Sequence, residues 1–134
     1  MEQKQNFTLH NVILMESSFK RTAQVSFSDE DFKGDISIGV ENEKNGLNLT
    51  VSLTVEYKAG IENEEPQIQS LIKMIGNFQC PETEIELSVD SFAKVNAPAI
   101  IFPFVREHLA SVSMKAGINP ILLPPVNFVR LAQK

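Results

Sequence analysis

Asp35-Ile36-Ser37-Ile38-Gly39-Val40-Glu41, then Asn45-Gly46, then Leu47-Asn48-Leu49-Thr50-Val51-Ser52-Leu53-Thr54-Val55-Glu56-Tyr57-Lys58 is the stretch that decides the fold. On both sides of Asn45-Gly46 apolar residues fall at every second position, and a period of two held that long gives one buried face and one wet face. Asn-Gly between two such runs predicts a two-residue hairpin of type I′, with both central residues at φ > 0. An antiparallel sheet covered on one side uses this pattern.

Outward from the hairpin, residues 7–16 read as a strand whose Val12-Ile13-Leu14-Met15 presents apolar groups on both faces. Residues 60–66 read as an exposed acidic loop, and residues 67–78 as a fourth strand with Gly76 a candidate bulge. In that strand Ile68, Ile72 and Met74 share one parity while Leu71 and Ile75 take the other. Two such two-faced strands carry more apolar surface than one helical layer covers, which argues for self-association. The candidate interface residues are Ile13, Met15, Leu71, Ile75 and Phe92.

Beyond Cys80 the period lengthens. Residues 88–95 suit a short helix with Val89, Phe92 and Val95 on one side, and Asn96-Ala97-Pro98 reads as a break with a capping residue. Residues 99–116 suit a longer helix whose stripe is Ile101, Phe104, Val105, Leu109 and Val112. Pro103 predicts a kink and Gly117 the helix end. The prolines of residues 118–125 demand extended chain, after which Asn127 can cap a terminal turn.

The chain has 134 residues, 43% hydrophobic and 22% charged, which suits a single domain over 1–134 with a core that needs no staples. Surface scaling gives roughly 7,000 Å² for its folded, compact form. Twelve Lys and Arg against seventeen Asp and Glu leave a net charge of -5, and no basic run exceeds Lys20-Arg21. That balance excludes nucleic-acid binding as the main role. Cys80 alone makes no internal disulfide, and His10 and His108 show no metal-ligand spacing. The polar Met1-Glu2-Gln3-Lys4-Gln5-Asn6 has no apolar h-region, and no apolar run reaches membrane-spanning length, so a soluble cytoplasmic protein without membrane insertion is expected.

Chemistry is sparse. Cys80 and His108 have no third group to orient them, Arg106-Glu107 reads as a solvated or interface pair, and Glu82, Glu84 and Glu86 as a wet face. No glycine-rich phosphate loop is present. No catalytic residue, cofactor or metal is assigned, and an enzyme is not expected. What stands out is nine Phe with one Tyr and no Trp. Phe19, Phe27 and Phe32 flank Ser28-Asp29-Glu30-Asp31; they either plug the core edge or line an apolar groove rimmed by acid, suited to apolar and basic polypeptide.

Ile101-Phe102-Pro103-Phe104-Val105-Arg106-Glu107, Lys115-Ala116-Gly117-Ile118 and Leu123-Pro124-Pro125-Val126-Asn127-Phe128 together resemble the SecB protein-export chaperone family. Its members carry F-P-Y/F-x-R-E, a basic, glycine-ended helix and L-x-P-V-N-F in that order. Ser18-Phe19 and Gly76-Asn77-Phe78 are similar to further family segments, and Phe27 and Phe32 fall where its crossover loop places aromatics, including a frequent Trp that is absent here.

The resemblance implies an α+β subunit: a four-stranded antiparallel sheet with two main helices packed on one side. It also implies a homotetramer, a dimer of dimers, that holds unfolded polypeptide clients in surface grooves without ATP. The groove residues it suggests are Phe19, Phe27, Phe32, Phe104 and Leu122. Contact with the translocase motor SecA is implied through acids near the end of the first strand and on the fourth. Glu16 keeps one acid, but Lys20 and Leu71 stand where others are usual. The chain reads to Lys134 without the longer tail that family members carry, so client holding is expected more than delivery to the motor. Three readings follow: a holdase keeping preproteins export-competent, a SecB-like chaperone dedicated to one partner such as an antitoxin, and an interaction module on the same fold that has lost the open groove.

Overall fold

A computed structural model describes residues 6–83 and 86–133; Met1 to Gln5 of the polar leader and Glu84 of the acidic run lie outside the described residues. Four antiparallel strands, β1 (Thr8–Arg21), β2 (Phe32–Asn45), β3 (Asn48–Ile61) and β4 (Ile68–Gln79), form one sheet in the order β1-β4-β3-β2. The helical layer is α1 (Glu86–Ser91), a π-helical turn at Phe92–Asn96, α2 (Ala97–Lys115) and α3 (Phe128–Ala132). This is the α+β class expected from the sequence.

The core lies between the inner sheet face and α2. Leu49, Val51, Leu53 and Val55 of β3 sit opposite Phe78, Gly76, Met74 and Ile72 of β4. Ile101, Phe102, Val105 and Leu109 of α2 close over them, joined by Leu123 and Phe128. Each large apolar side chain buried here contributes about 1.5–3 kcal/mol. The stripe on α2 departs from the expected one at two places: Phe102 is buried and Phe104 is exposed.

The hairpin turn is one residue later than the Asn-Gly pattern predicts. Asn45 pairs with Asn48, which leaves Gly46 and Leu47 as the central residues. Only Gly46 has positive φ, at 64°, so the glycine occupies the first central position, as in a type II′ turn. That placement keeps Leu47 on the apolar face, against the core.

Gly76 is not a bulge. Its register with Val12 and Val51 is continuous, and the irregularities lie in β1, between Leu9 and Asn11 and between Leu14 and Glu16. The extra residues, His10 and Met15, switch the parity of β1 twice. As a result Leu9, Val12, Leu14, Ser17 and Phe19 all share the inner face, through pairing with Phe78, Gly76, Met74, Ile72 and Ser70. The run Val12 to Met15 is two-faced, as expected: Val12 and Leu14 lie on the inner face and Ile13 on the outer, with Met15 in the second bulge. Glycine at 76 serves a different need: a Cβ there would lie 2.8 Å from Phe78 Cε1 and 3.0 Å from Ile101 Cδ1. The missing side chain is the slot that α2 occupies.

Asn96-Ala97-Pro98 does not break the helix. Asn96 keeps helical dihedrals without a side-chain cap, and the Ala97 amide donates to the Phe92 carbonyl, five residues back. Pro98 is the second residue of α2, and the π-helical turn lies directly before it, where proline has no N–H to donate to the preceding turn. Pro103 lies inside α2, which runs on to Lys115. At the far end Gly117 has φ 78° and donates to Met114, and Ile118 donates to the Ser113 carbonyl at 3.3 Å, a Schellman closure. Asn127 caps α3 by accepting from the Arg130 amide at 3.0 Å.

The chain exposes 8763 Å², well above the roughly 7,000 Å² of a compact monomer of this mass.

Candidate functional site

The segment from Thr22 to Asp31 crosses from β1, at one edge of the sheet, to β2 at the other, and it carries the most exposed aromatic ring. Two short turns shape it. The Asp29 amide donates to the Ser26 carbonyl at 3.0 Å, and the Phe32 amide to the Asp29 carbonyl at 3.1 Å. The Asp29 carboxylate also accepts from the Asp31 amide at 2.8 Å, an Asx-type contact that suits Asp in a turn. Phe27 and Phe32 are thereby brought together, with ring centroids 5.2 Å apart and planes tilted by 59°. Phe27 is 53% exposed and Phe32, the first residue of β2, is half-buried. The two rings thus differ in exposure although they touch.

Arg21 fastens the start of this crossing. Its guanidinium donates to the carbonyls of Thr22 and Ala23 and, at 2.7 Å, to that of Ala116 at the end of α2. A cation with a hydrogen bond at a helix C-terminus meets both the unpaired carbonyl and the negative end of the dipole. Ser17 Oγ and His108 Nε2, 2.8 Å apart, form a second tie between β1 and α2.

His108 places Phe104, one turn earlier on the same flank of α2, towards β1. Phe104 is 48% exposed, and Ile100, another turn back, is exposed too. Leu9 and Leu14, on the inner face of the edge strand β1, are likewise exposed. Leu9, Leu14, Ile100 and Phe104 thus share the β1 side of the helical layer. Sequence reasoning missed three of them. The spacing of Ile100, Phe104 and His108 could have shown this flank, whereas the bulges hid Leu9 and Leu14. Leu122 projects from the proline-rich strap and is 71% exposed, while its neighbour Leu123 is buried.

Phe19 is drawn inward: it pairs with Ser70 on the inner face and packs against the core. Phe92 also turns inward. Its ring stacks on Phe7 at 3.8 Å and meets Phe78 edge-on at 5.2 Å, so it belongs to the helical side and not to the outer face. On that outer face Ile13 pairs with Ile75 and Ser18 with Leu71, and exposed Met15 occupies the second bulge. Glu16 lies there too, opposite Lys73, with Lys20 two strand pairs beyond Ser18. A cleft of about 390 Å³ that sequence reasoning did not find opens beneath β2, lined by Ile38, Val40, Asn42, Lys94, Leu131 and Ala132.

Nothing in the described residues assembles a reaction centre. His108 is engaged by Ser17, whose strand partner is Ile72, whereas buried Cys80 follows the far end of β4. No cluster of metal-ligating side chains occurs among the described residues. Tyr57 lies against Gly34, and burial raises its phenol above the ordinary value of 10.0. No helix among them is long and apolar enough to cross a membrane.

Compared with known proteins, the whole chain, residues 1–134, matches the family model of the preprotein translocase subunit SecB. A protein-export protein SecB of Halorhodospira halophila is 31% identical over 138 residues, covering 98% of this chain and 77% of that one. One from Neisseria meningitidis is 29% identical over 102 residues, covering 74% and 66%. An uncharacterized protein of Methanocaldococcus jannaschii is 28% identical over 109 residues, covering 78% and 68%. The chain therefore spans about two-thirds of the length of several of the relatives it matches. Among solved structures, a SecB-like chaperone of Mycobacterium tuberculosis, in complex with a ChAD peptide from an antitoxin, superposes with a TM-score of 0.75 over 90% of both chains. Its sequence identity is 10%, so the likeness is one of fold.

Proposed function

The chain belongs to the SecB family, whose members are chaperones and not enzymes, and from that premise we propose that it is an ATP-independent holdase for non-native polypeptide. The observation that carries the reading is the exposure of Phe27 and Phe104, two large rings that a solitary globular chain has every reason to bury. Half-buried Phe32 joins Phe27 in an apolar surface beside Asp29, Glu30 and Asp31, which favours apolar segments with basic flanks, and Phe104 on α2 and Leu122 on the strap add further exposed apolar area. Phe19, packed against the core, is not part of this surface.

Self-association fits the same picture. Ile13, Met15, Leu71 and Ile75 make an apolar strip on the outer side of β1 and β4, and the exposed area exceeds that of a compact monomer. A tetramer would have a mass of about 60 kDa, four times 15.0 kDa, and a solution mass of one subunit would remove this part. The decisive experiment for holding is dilution of a chemically unfolded client into buffer with and without the purified protein, in the absence of nucleotide. Slower light scattering with the protein is expected; identical traces would refute the proposal.

Service to a single partner, such as an antitoxin, is the second reading, and Lys20, Leu71 and Lys73 favour it. They surround Glu16 on the outer face with cationic and apolar groups, which lowers complementarity to a basic motor segment. The antitoxin peptide held by the mycobacterial chaperone shows that a relative of this fold can take such a ligand. A pull-down separates the readings: one dominant partner supports the dedicated chaperone, and many clients together with SecA support the export role.

A further inference from the structure

Gln67 lies between the acidic loop and β4, and all four of its polar groups are engaged. Its amide donates to the Ala59 carbonyl at 2.8 Å, and its carbonyl accepts from the Thr22 amide at 2.9 Å. Its side-chain Oε1 accepts from the Ser26 amide at 2.7 Å, and Nε2 donates to Ser26 Oγ at 3.3 Å. One residue outside the crossing segment therefore grips that segment at two points four residues apart. Ser26 is the first residue of the paired turns that end at Phe32, and Phe27 follows it directly. With Ser26 fixed and Phe32 held in β2, Phe27 has little freedom to fold away.

We propose that Gln67 is the positioning residue for the polypeptide-binding surface: its carboxamide clamps Ser26 and so holds Phe27, in contact with half-buried Phe32, open to solvent. The role rests on the holdase reading, because it assigns the exposed ring a use. It does not make Gln67 a contact for the client; it acts through Ser26. The dominant link is the 2.7 Å bond from a backbone amide, which no rotation of the Ser26 side chain can replace. The Nε2 bond at 3.3 Å is the weaker partner.

The two bonds make different demands on substitutions. Gln67→Leu removes both, Gln67→Glu keeps the acceptor for the Ser26 amide, and Ser26→Ala removes only the weaker contact. Binding is read with a fluorescein-labelled peptide of alternating aromatic and basic residues. Gln67→Leu is expected to weaken it about tenfold, and Gln67→Glu and Ser26→Ala less than about threefold, as one backbone-amide bond lost or kept implies. A purely structural role would lower the melting temperature without this split and without rescue by Glu.

The chain contains no Trp, so Phe27→Trp supplies a single emission probe at the site. In the Gln67→Leu background its emission is expected to shift to the blue and its quenching by acrylamide to fall, as the ring collapses inward. Unchanged emission and quenching would overturn the proposal. If Gln67→Leu does not fold, amide hydrogen exchange on the parent chain decides: Ser26 should be protected, and rapid exchange there would overturn the clamp. Because the emission and exchange measurements need no client, a parent chain that fails to bind the peptide would defeat the holdase reading while leaving the clamp separately tested.

Discussion

Replacing Gly76 by Ala is expected to destabilise the fold, which runs against the usual gain when glycine leaves a strand. That gain is about 0.5–1 kcal/mol, from the entropy glycine loses on ordering. Against it stands a Cβ placed 2.8 Å from Phe78 Cε1 and 3.0 and 3.1 Å from the δ and γ1 carbons of Ile101. Carbon pairs rest at about 3.5–4.0 Å, so each neighbour must retreat by roughly half an ångström or more. Phe78 has nowhere simple to go, because its ring meets Phe92 and Phe92 in turn stacks on Phe7. Ile101 can yield only by changing rotamer or by lifting α2 from the sheet. Overpacking of this kind costs about 1–3 kcal/mol, leaving a net loss of up to about 2.5 kcal/mol, centred on about 1.2 kcal/mol. For a chain of this length the central value lowers the melting temperature by about 4 °C. Urea unfolding followed by circular dichroism, at one fixed protein concentration, measures it. Ile101→Val in the same chain should return about 1 kcal/mol of the loss, although alone it costs about 0.5–1.5 kcal/mol. A Gly76→Ala chain as stable as its parent would show that α2 does not use the slot.

Tyr57 is the only tyrosine, so absorbance of the phenolate reports it alone; its midpoint should lie above the ordinary 10.0 because burial disfavours the charged form. Since the folded phenol holds its proton more tightly than the unfolded one, its contribution to stability is complete below pH 10.0 and is lost as pH rises through the folded value. Tyr57→Phe should flatten that alkaline decline, and an equal decline in both chains would contradict it. Arg21→Ala, by removing the bond to Ala116 and the charge at the end of α2, should cost about 1–2 kcal/mol in denaturant unfolding, with Arg21→Lys intermediate. Phe104→Ala should weaken client binding by about 1 kcal/mol or more in a peptide titration, while unfolding stability stays within about 0.5 kcal/mol. Phe32→Ala should lower both quantities, because that ring is half-buried.

The alternating hairpin was legible because a period of two leaves little choice of partner face, and the helix ends at Gly117 and Asn127 because their caps follow from local chemistry. What escaped was set by contacts distant in sequence. The bulges at His10 and Met15 exist only relative to β4, so the parity of β1 could not be read from β1 alone. Gly76 looked like an irregularity because its true partner, Ile101, lies on another element. Phe104 sat on the expected apolar stripe, whose Ile101, Val105 and Leu109 are buried, but the buried strip widens on the other side of Ile101, so Phe102 is covered and Phe104 is left in solvent. Of the aromatic candidates, Phe27 and Phe32 were correctly grouped, since both flank one acidic turn; the inward positions of Phe19 and Phe92 depended on packing that spacing does not encode.

The strand order has a consequence for how the protein is made. β2 and β3 can close as soon as both have left the ribosome, but β1, made before either, pairs only with β4. Translation at about 5–20 residues per second puts roughly 60 residues, and so about 3–12 s, between the emergence of the two. Throughout that interval Leu9, Val12, Ile13, Leu14 and Met15 hang unpaired from the nascent chain. On the proposed holdase reading, a chain that shields the unfinished strands of others would itself begin life in need of the same protection.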